Sequence, residues 1–499
     1  MFKQFLVFIF FFAHIILFGQ TSDLDQKLKA QQEQEKLEKE SENKKDSLTS
    51  DYYKIYYIDG RIESVDTSLN IYKDYKFNFL REDSFDLISF ANSGHTYNKL
   101  SYDFKSYHKP DIGARGKHFH YFEKEDIGYY NVPTPFTEIF AKSTFEQGQI
   151  LDMLVSINLT PQYNFTIAHK GYKSLGNYIN TRSRGNQFRF SSNFNSKNQL
   201  MSWRFHFVSQ NIFNQENAGL DPESIYFYEQ ATDYFVLDNF GNQIVEDDGS
   251  FKMIEYDGYL DRSRLGPGLF AEGSLYSKRF FSDFQRVLLK NKKVGSNSLA
   301  INYQFTHEYK KMEFNDEMNN KIFGEVYDED QTVSDQSRFI EQENKIILSS
   351  DLNKLGVFNL SYSITNWKNN FKIYYEDDLI NSIDENQSNV NLNWFKKSNK
   401  FNFEFIINKS SKDDFKSDYI SFKINGSPIR NFDFQLSSSI IEKSPNFNFK
   451  LFRSGFKDYN WFNDELNDEK ISNINLKLSY KKLFVLTGDY NIIDNYTFF

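Results

Sequence analysis

Apolar and polar side chains alternate with a period of two along much of this chain, from about residue 138 almost to its end. Phe358, Leu360, Tyr362 and Ile364 hold one parity, and Asn359, Ser361, Ser363 and Thr365 hold the other. Val390-Leu392-Trp394, Phe401-Phe403-Phe405-Ile407 and Ile474-Leu476-Leu478-Tyr480 repeat the arrangement. A period of two sends successive side chains to opposite faces of a β-strand. Many strands of this kind, each apolar on one face and hydrated on the other, predict an all-β chain. The architecture that fits is a transmembrane antiparallel β-barrel with lipid outside and water inside. The rhythm predicts about sixteen strands, with a margin of two or more.

Residues 139–145 and 150–159 read as a hairpin around Gln147-Gly148, and Thr160-Pro161 separates a third strand at 163–170. Further strands are expected near 188–194, 203–209, 269–275 and 301–309, and after Asn344 they crowd together with short joints. Two long, acidic interruptions, 214–264 and 311–341, contrast with these joints. Barrels of the outer membrane join strands by short turns on one side and longer loops on the other, and the mixture fits that asymmetry.

The first part of the chain reads differently. Residues 1–19 form a signal peptide, with Lys3 ahead of an apolar stretch at 5–18 that only His14 interrupts. Residues 20–50 are a charged linker, helical or disordered, whose leucines hold no heptad. Residues 51–135 form a short N-terminal periplasmic or lumen-associated segment, with strands expected at 52–57 and 71–80. Residues 136–499 are the barrel.

Composition adds three constraints. Aromatics make up 18% of the chain, with 54 Phe and 32 Tyr, more than a soluble domain of this size requires. Mean hydropathy is -0.63, and after the signal peptide no apolar run reaches the length of a membrane helix. Cysteine is absent, which removes disulfides, thiolate metal sites and lipoprotein anchoring together. The net charge of -9 is spread along the chain and leaves no basic footprint for nucleic acid.

Parity also selects candidate pore-lining residues. With Tyr163, Phe165 and Ile167 toward lipid, Asn164, Thr166 and Lys170 face inward. Arg189 sits between Phe188 and Phe190, and Arg204 and His206 alternate with Trp203, Phe205 and Phe207. Charges around a narrow aqueous path set selectivity, so reversing Arg189 and Arg204 to glutamate should move anion/cation preference. The dull alternative is that these groups merely solvate a wide interior. His118-Phe119-His120, near His108 and Glu123, would put two imidazoles on one face of a strand, but no third ligand has dependable spacing. Glu246, Asp247 and Asp248 lack the ligand alternation of a calcium loop. No metal, cofactor or catalytic residue is assigned, because no nucleophile elbow, Walker loop, zinc-protease or dinucleotide motif occurs.

Three long words carry a family resemblance: DYKFNFLREDSFDLISFANSGHTYNKLSYDF at 74–104, ARGKHFHYFEKEDIGYYNVPTPFTEIFAKSTFEQGQ at 114–149, and LTPQYNFTIAHKGYKSLGNY at 159–178. In these the chain resembles the putative porin family of Bacteroidetes, a group of outer-membrane β-barrels. The resemblance implies an outer-membrane location and a passive channel, and it brings no catalytic residues. The expected protein is a non-enzymatic porin passing small polar solutes or ions through a hydrated lumen. Its expected partners are outer-membrane lipid, those solutes and the barrel-assembly machinery, with no nucleic acid. Two other classes stay open: a plugged or gated transporter with residues 51–135 as plug, and a structural or adhesive surface β-protein.

Overall fold

A computed structural model describes residues 50–66, 70–101, 112–113, 115–144, 148–229, 233–236, 238, 240, 242–255, 265–290, 298–316, 321–330, 332–374, 380–411, 415–481 and 483–498. The expected signal peptide and nearly all of the charged linker lie outside them, as does His108. Two units separate: residues 1–54 with 64–67, and residues 55–63 with 68–499. In the first, a single 3-10 turn at Ser50–Tyr52 is followed by a contact from Lys54 Nζ to Ser64 Oγ at 2.7 Å.

The second unit is built on a sheet of fifteen strands in sequential order, each antiparallel to the next. The strands are β1 (Phe136–Thr144), β2 (Gly148–Thr160), β3 (Tyr163–Ser174), β4 (Ser183–Asn195) and β5 (Met201–Glu216). Then come β6 (Ala271–Lys290), β7 (Ser298–Asp316), β8 (Val333–Asp351), β9 (Val357–Phe371) and β10 (Ser382–Lys397). The last five are β11 (Phe401–Ser410), β12 (Ser417–Ile429), β13 (Phe432–Lys443), β14 (Glu469–Tyr480) and β15 (Phe484–Asp494). Fifteen strands stand against the expected sixteen or so. Because the count is odd, β1 and β15 run in the same direction, and each has one hydrogen-bonded neighbour among the described residues.

Burial follows parity in the sense a lipid-facing wall requires. On β9, Leu360, Tyr362 and Ile364 are 48, 47 and 41% exposed, whereas Ser361, Ser363 and Thr365 are 6, 7 and 0% exposed. A water-soluble protein would show the reverse. All the longer connections lie at one edge of the sheet: 217–270, 317–332, 372–381 and 444–468. The opposite edge carries tight joints such as 161–162, 398–400 and 430–431. The interruption expected at 311–341 is shorter than its polarity suggests. Residues 311–316 extend β7 and 333–341 begin β8, in continuous register from Lys311↔Arg338 to Asp316↔Val333.

Residues 70–135 depart most from expectation. The strand expected at 71–80 is a 3-10 turn at Ile71–Lys76, because the Asn70 side chain accepts from Tyr72 N at 2.8 Å and captures the backbone before it can extend. Beyond it come a small hairpin, Leu87–Ser89 with Tyr97–Lys99, and a four-residue helix at Arg115–His118.

A second inward element comes from the 444–468 connection. Phe447 and Leu451 are fully buried with Phe339, Trp367, Phe371 and Ile383 of β8 to β10, with Phe415 of the connection between β11 and β12, and with Ile112 of the N-terminal segment. Trp367 lies 5.6 Å from the Phe415 ring and 6.1 Å from Phe447, and its Nε1 donates to Glu341 at 3.1 Å. Trp367→Ala is expected to lower stability by about 3–5 kcal/mol. The check is the urea midpoint at which the compact gel form of unboiled protein disappears.

Candidate functional site: the filled lumen

The inner face of β2 to β8 carries apolar residues that alternation alone would send outward. Ile150, Tyr172, Val208, Ile212, Leu275 and Phe281 are all buried there. They are covered by residues 70–135, which join β1 at the short-turn edge and reach the long-loop edge before returning. At the far end, Asn92 Nδ2 donates to the carbonyls of Ser174 (3.2 Å) and Thr181 (2.7 Å), and Asn214 Nδ2 donates to Gly94 O at 2.7 Å. Gly94 has φ +86°, and a Cβ there would lie 2.6 Å from the Tyr172 ring, so the chain passes the wall at backbone distance. Lys117 Nζ reaches Asn214 Oδ1 at 2.8 Å and Glu216 Oε1 at 3.1 Å.

Midway down, the contacts become a buried polar cluster. Tyr121 donates its hydroxyl to Glu308, which pairs with Arg279 Nη1 at 3.0 Å. Arg279 Nη2 donates to Phe122 O at 2.8 Å, and Gln210 closes on the same residue by accepting from Phe122 N at 2.9 Å and donating to Phe122 O at 3.1 Å. Lys124 Nζ reaches Glu343 of β8 at 3.4 Å, and Gln187 of β4 donates to His120 O at 2.5 Å. One short stretch thus ties β4 to β8. Lower still, the Tyr129 hydroxyl meets His206 Nδ1 at 2.9 Å, and Val132 N donates to Asn158 Oδ1 at 3.3 Å.

The residues singled out by parity all sit on this inner face, Thr166 among them, buried and bonded to Ser156 Oγ at 2.9 Å. Asn164 is buried and bonds Ser156 Oγ (3.0 Å) and Asn158 Oδ1 (2.6 Å). Lys170 is buried over the Phe79 and Phe122 rings, at 4.8 and 5.7 Å. Arg189 pairs with Asp152 at 2.7 Å and stacks 4.1 Å from Phe122. Arg204 pairs with Asp283 at 2.5 Å and lies over Tyr129. His206 is fully buried beneath Tyr129. Lys170, Arg189, Arg204 and His206 touch Phe79, Phe122 or Tyr129 directly, and Asn164 bonds the same Asn158 that holds Val132.

Asp152, Gln187, Gln210, Arg279 and Glu308 escaped sequence reasoning. Leu275 and Phe281 share the inner parity with Arg279, so apolar and polar residues no longer separate there. The signal was the broken alternation itself, since an apolar residue on a wetted face requires a cover. His118 and His120 are not on a strand. The chain turns between them, and His120 Nε2 donates to His95 O at 2.5 Å amid the rings of Phe79, Tyr97 and Tyr172. Among the described residues no group of three metal-ligating side chains occurs.

Two groups of the inserted segment are displaced in opposite ways. Burial lowers His120 to about 3, and burial, helped by Glu308 and opposed by Lys310, raises Glu123 to about 7. A histidine lowered on folding stabilises less as pH falls below 6.5, because the unfolded form takes the proton first. A carboxyl raised on folding stabilises less as pH rises from 4.5 through 7, because the folded form holds the proton longer. The two slopes oppose each other between pH 4.5 and 6.5. His120→Gln should remove the acid-side loss, and Glu123→Gln the loss on the other side. Hydrogen exchange of residues 115–131 across pH 4–8 separates the two limbs.

Strands β11 to β14 present a different inner face. Asn402, Asn425, Gln435, Lys477 and Ser479 line an open polar recess of about 390 Å³. Among the described residues, none of the N-terminal segment lines this recess.

A family model described as "Putative porin" matches residues 49–499. This chain belongs to the putative porin family. The porin is an outer-membrane protein, as its family and its lipid-compatible outer face require. Comparison with curated sequences returns no match. Similar solved structures include the siderophore receptor PirA from Acinetobacter baumannii, at 11% identity over 72% of this porin and 52% of that chain, TM-score 0.43. The FrpB iron transporter from Neisseria meningitidis aligns at 9% identity over 72% and 54%, TM-score 0.43. FpvA from P. aeruginosa, bound to heterologous pyoverdines, aligns at 10% over 68% and 45%, TM-score 0.42. The porin spans about half the length of these receptors.

Proposed function

We propose that this porin is a passive outer-membrane channel for small polar solutes and ions whose lumen is narrowed by its own N-terminal segment. The observation that carries this reading is the placement of the described residues between 70 and 135, which meet the inner face at the long-loop edge through Asn92 and Gly94 and near the short-turn edge through Val132. Passage then runs past the polar recess on β11 to β14, where Asn402, Asn425, Gln435 and Lys477 line up across the strands, without a chemical step.

A second reading, in which the segment must move before solute passes, draws support from the polar character of its contacts. Asn131 with Asn158, Gln210 with Phe122 and Lys117 with Glu216 can all be exchanged for water. The two readings separate by cross-linking. Asn92 and Ser174 touch through their side chains, with Ser174 Oγ 2.7 Å from Asn92 Oδ1, and the natural chain has no cysteine to interfere. The double variant Asn92→Cys, Ser174→Cys, oxidised, should keep its rate of sugar-driven liposome swelling if passage runs beside the segment. Swelling that stops on oxidation and returns on reduction would favour displacement.

A further inference from the structure

The four joints at the short-turn edge of β8 to β15, residues 352–356, 398–400, 430–431 and 481–483, are tied to one another in series. Trp394 Nε1 donates to Leu355 O at 2.8 Å, Ser427 N donates to Lys400 O at 3.1 Å, and Lys481 N donates to Asn431 O at 2.7 Å. With strands about 4.8 Å apart, successive joints stand roughly 10 Å from each other along the rim. Each joint carries a cation, and three of them carry an exposed aliphatic residue beside it. Lys354 adjoins Leu355, Arg430 adjoins Ile429, and Lys481 is two residues from Leu483. Those three apolar side chains are 60, 69 and 76% exposed. Lys400 completes the series.

Charge on this arc is one-sided. Lys354, Lys400, Arg430 and Lys481 are exposed and form no ion pair among the described residues. The joints themselves hold no acidic residue. The carboxylates nearest in sequence, Asp351 and Asp433, accept from Asn353 N at 2.9 Å and from Ser427 Oγ. Acidic residues of the connections gather at the opposite edge instead, as at Glu246-Asp247-Asp248 and Asp328-Glu329-Asp330. A row of cations beside exposed aliphatic side chains suits a surface that is anionic and oily at once. Phosphates meet the ammonium and guanidinium groups, and acyl chains receive the leucines and isoleucine.

We propose that the short-turn rim from β8 to β15 is a binding surface for anionic phospholipid of the periplasmic leaflet. Short turns face the periplasm in barrels of this membrane, which sets the arc level with the phosphates of that leaflet. Lipid phosphates meet Lys354, Lys400, Arg430 and Lys481, while Leu355, Ile429 and Leu483 dip among the upper acyl carbons. The surface lies outside the lumen and does not depend on what passes through it.

The test is quenching of tryptophan fluorescence by brominated lipid, on the folded protein in bilayers of phosphatidylglycerol and phosphatidylcholine. Trp394 meets the arc at Leu355, and Trp394→Phe measured beside the natural protein isolates its share of the signal. Brominated phosphatidylglycerol should compete for this indole at least about threefold better than brominated phosphatidylcholine. That preference should disappear in about 1 M salt, where charges are screened within about 3 Å. It should also disappear when Lys354→Gln, Lys400→Gln, Arg430→Gln and Lys481→Gln are combined. Soluble glycerol phosphate at matched ionic strength should leave it unchanged. Equal affinity of the two lipids, a preference indifferent to salt or to the combined variant, or displacement by glycerol phosphate would overturn the assignment. Should the combined variant lose the compact form on unboiled gels, the salt series on the natural protein decides alone.

Discussion

Arg279→Met is expected to loosen the N-terminal segment from the barrel wall, with a loss of about 3–5 kcal/mol in the free energy holding it. The argument rests on burial. Arg279 and Glu308 are 1 and 9% exposed at their side chains and lie 3.0 Å apart. Removing the guanidinium leaves Glu308 with Tyr121 and the more distant Lys310 amine at 3.8 Å, and it takes away the donor that holds Phe122 O. The penalty comes from the stranded carboxylate more than from the lost attraction. The double variant Arg279→Met, Glu308→Leu should therefore recover part of the loss, since the stranded carboxylate goes with the guanidinium while the buried Lys310 keeps Glu123 as a counter-charge. Hydrogen exchange of residues 115–131 reads both variants. A single variant as protected as wild type would show that this pair does not fasten the segment.

Lys477→Glu is expected to produce the largest change in ion preference, a several-fold shift in permeability ratio toward cations. Lys477 stands in the open polar recess with Asn402, Asn425 and Gln435, and the carboxylate of that lining, Asp433, accepts from Ser427 and lies opposite Ser479 rather than Lys477. Arg189 and Arg204 are already neutralised by Asp152 and Asp283 and lie under Phe122 and Tyr129. Reversing those two should thus move the reversal potential less than the single change at Lys477, and should disturb docking of the segment instead. Reversal potentials under a salt gradient rank the two. The opposite ranking would place the conducting path along β4 and β5.

The outer face was the legible part of this protein. On β9 and β10, parity alone separates Leu360, Tyr362, Val390 and Leu392 from their serine and asparagine neighbours. Lipid imposes one rule on every outward position, and a rule repeated over fifteen strands is visible in one sequence. The inner face obeys no such rule, because it is partly protein. Tyr172, Leu275 and Phe281 look like misplaced lipid-facing residues until Phe79, Tyr121 and Lys124 are seen against them. Those partners are about a hundred or more residues away in the chain, and spacing carries no trace of them. The 3-10 turn at Ile71–Lys76 was missed for a local reason: the apolar residues there suggest a strand, while Asn70 fixes the backbone as a turn.

The same reasoning explains the shortened interruption after β7. Lys311, Glu313 and Asp335 look like loop residues by polarity, yet they sit in a wall that projects beyond the hydrocarbon layer. β6 and β7 run for 20 and 19 residues, about twice what a tilted strand needs to cross. Polar ends on such strands are compatible with continuous pairing.

The central claim is a barrel that conducts past an inserted segment. Planar-bilayer recording of the folded protein, beside Arg279→Met, tests it most directly. The account predicts small, discrete, salt-dependent current steps from the natural protein and larger steps once the segment is loosened. Silence from both proteins, each shown by gel mobility to be folded and by protease protection to be inserted, would contradict it.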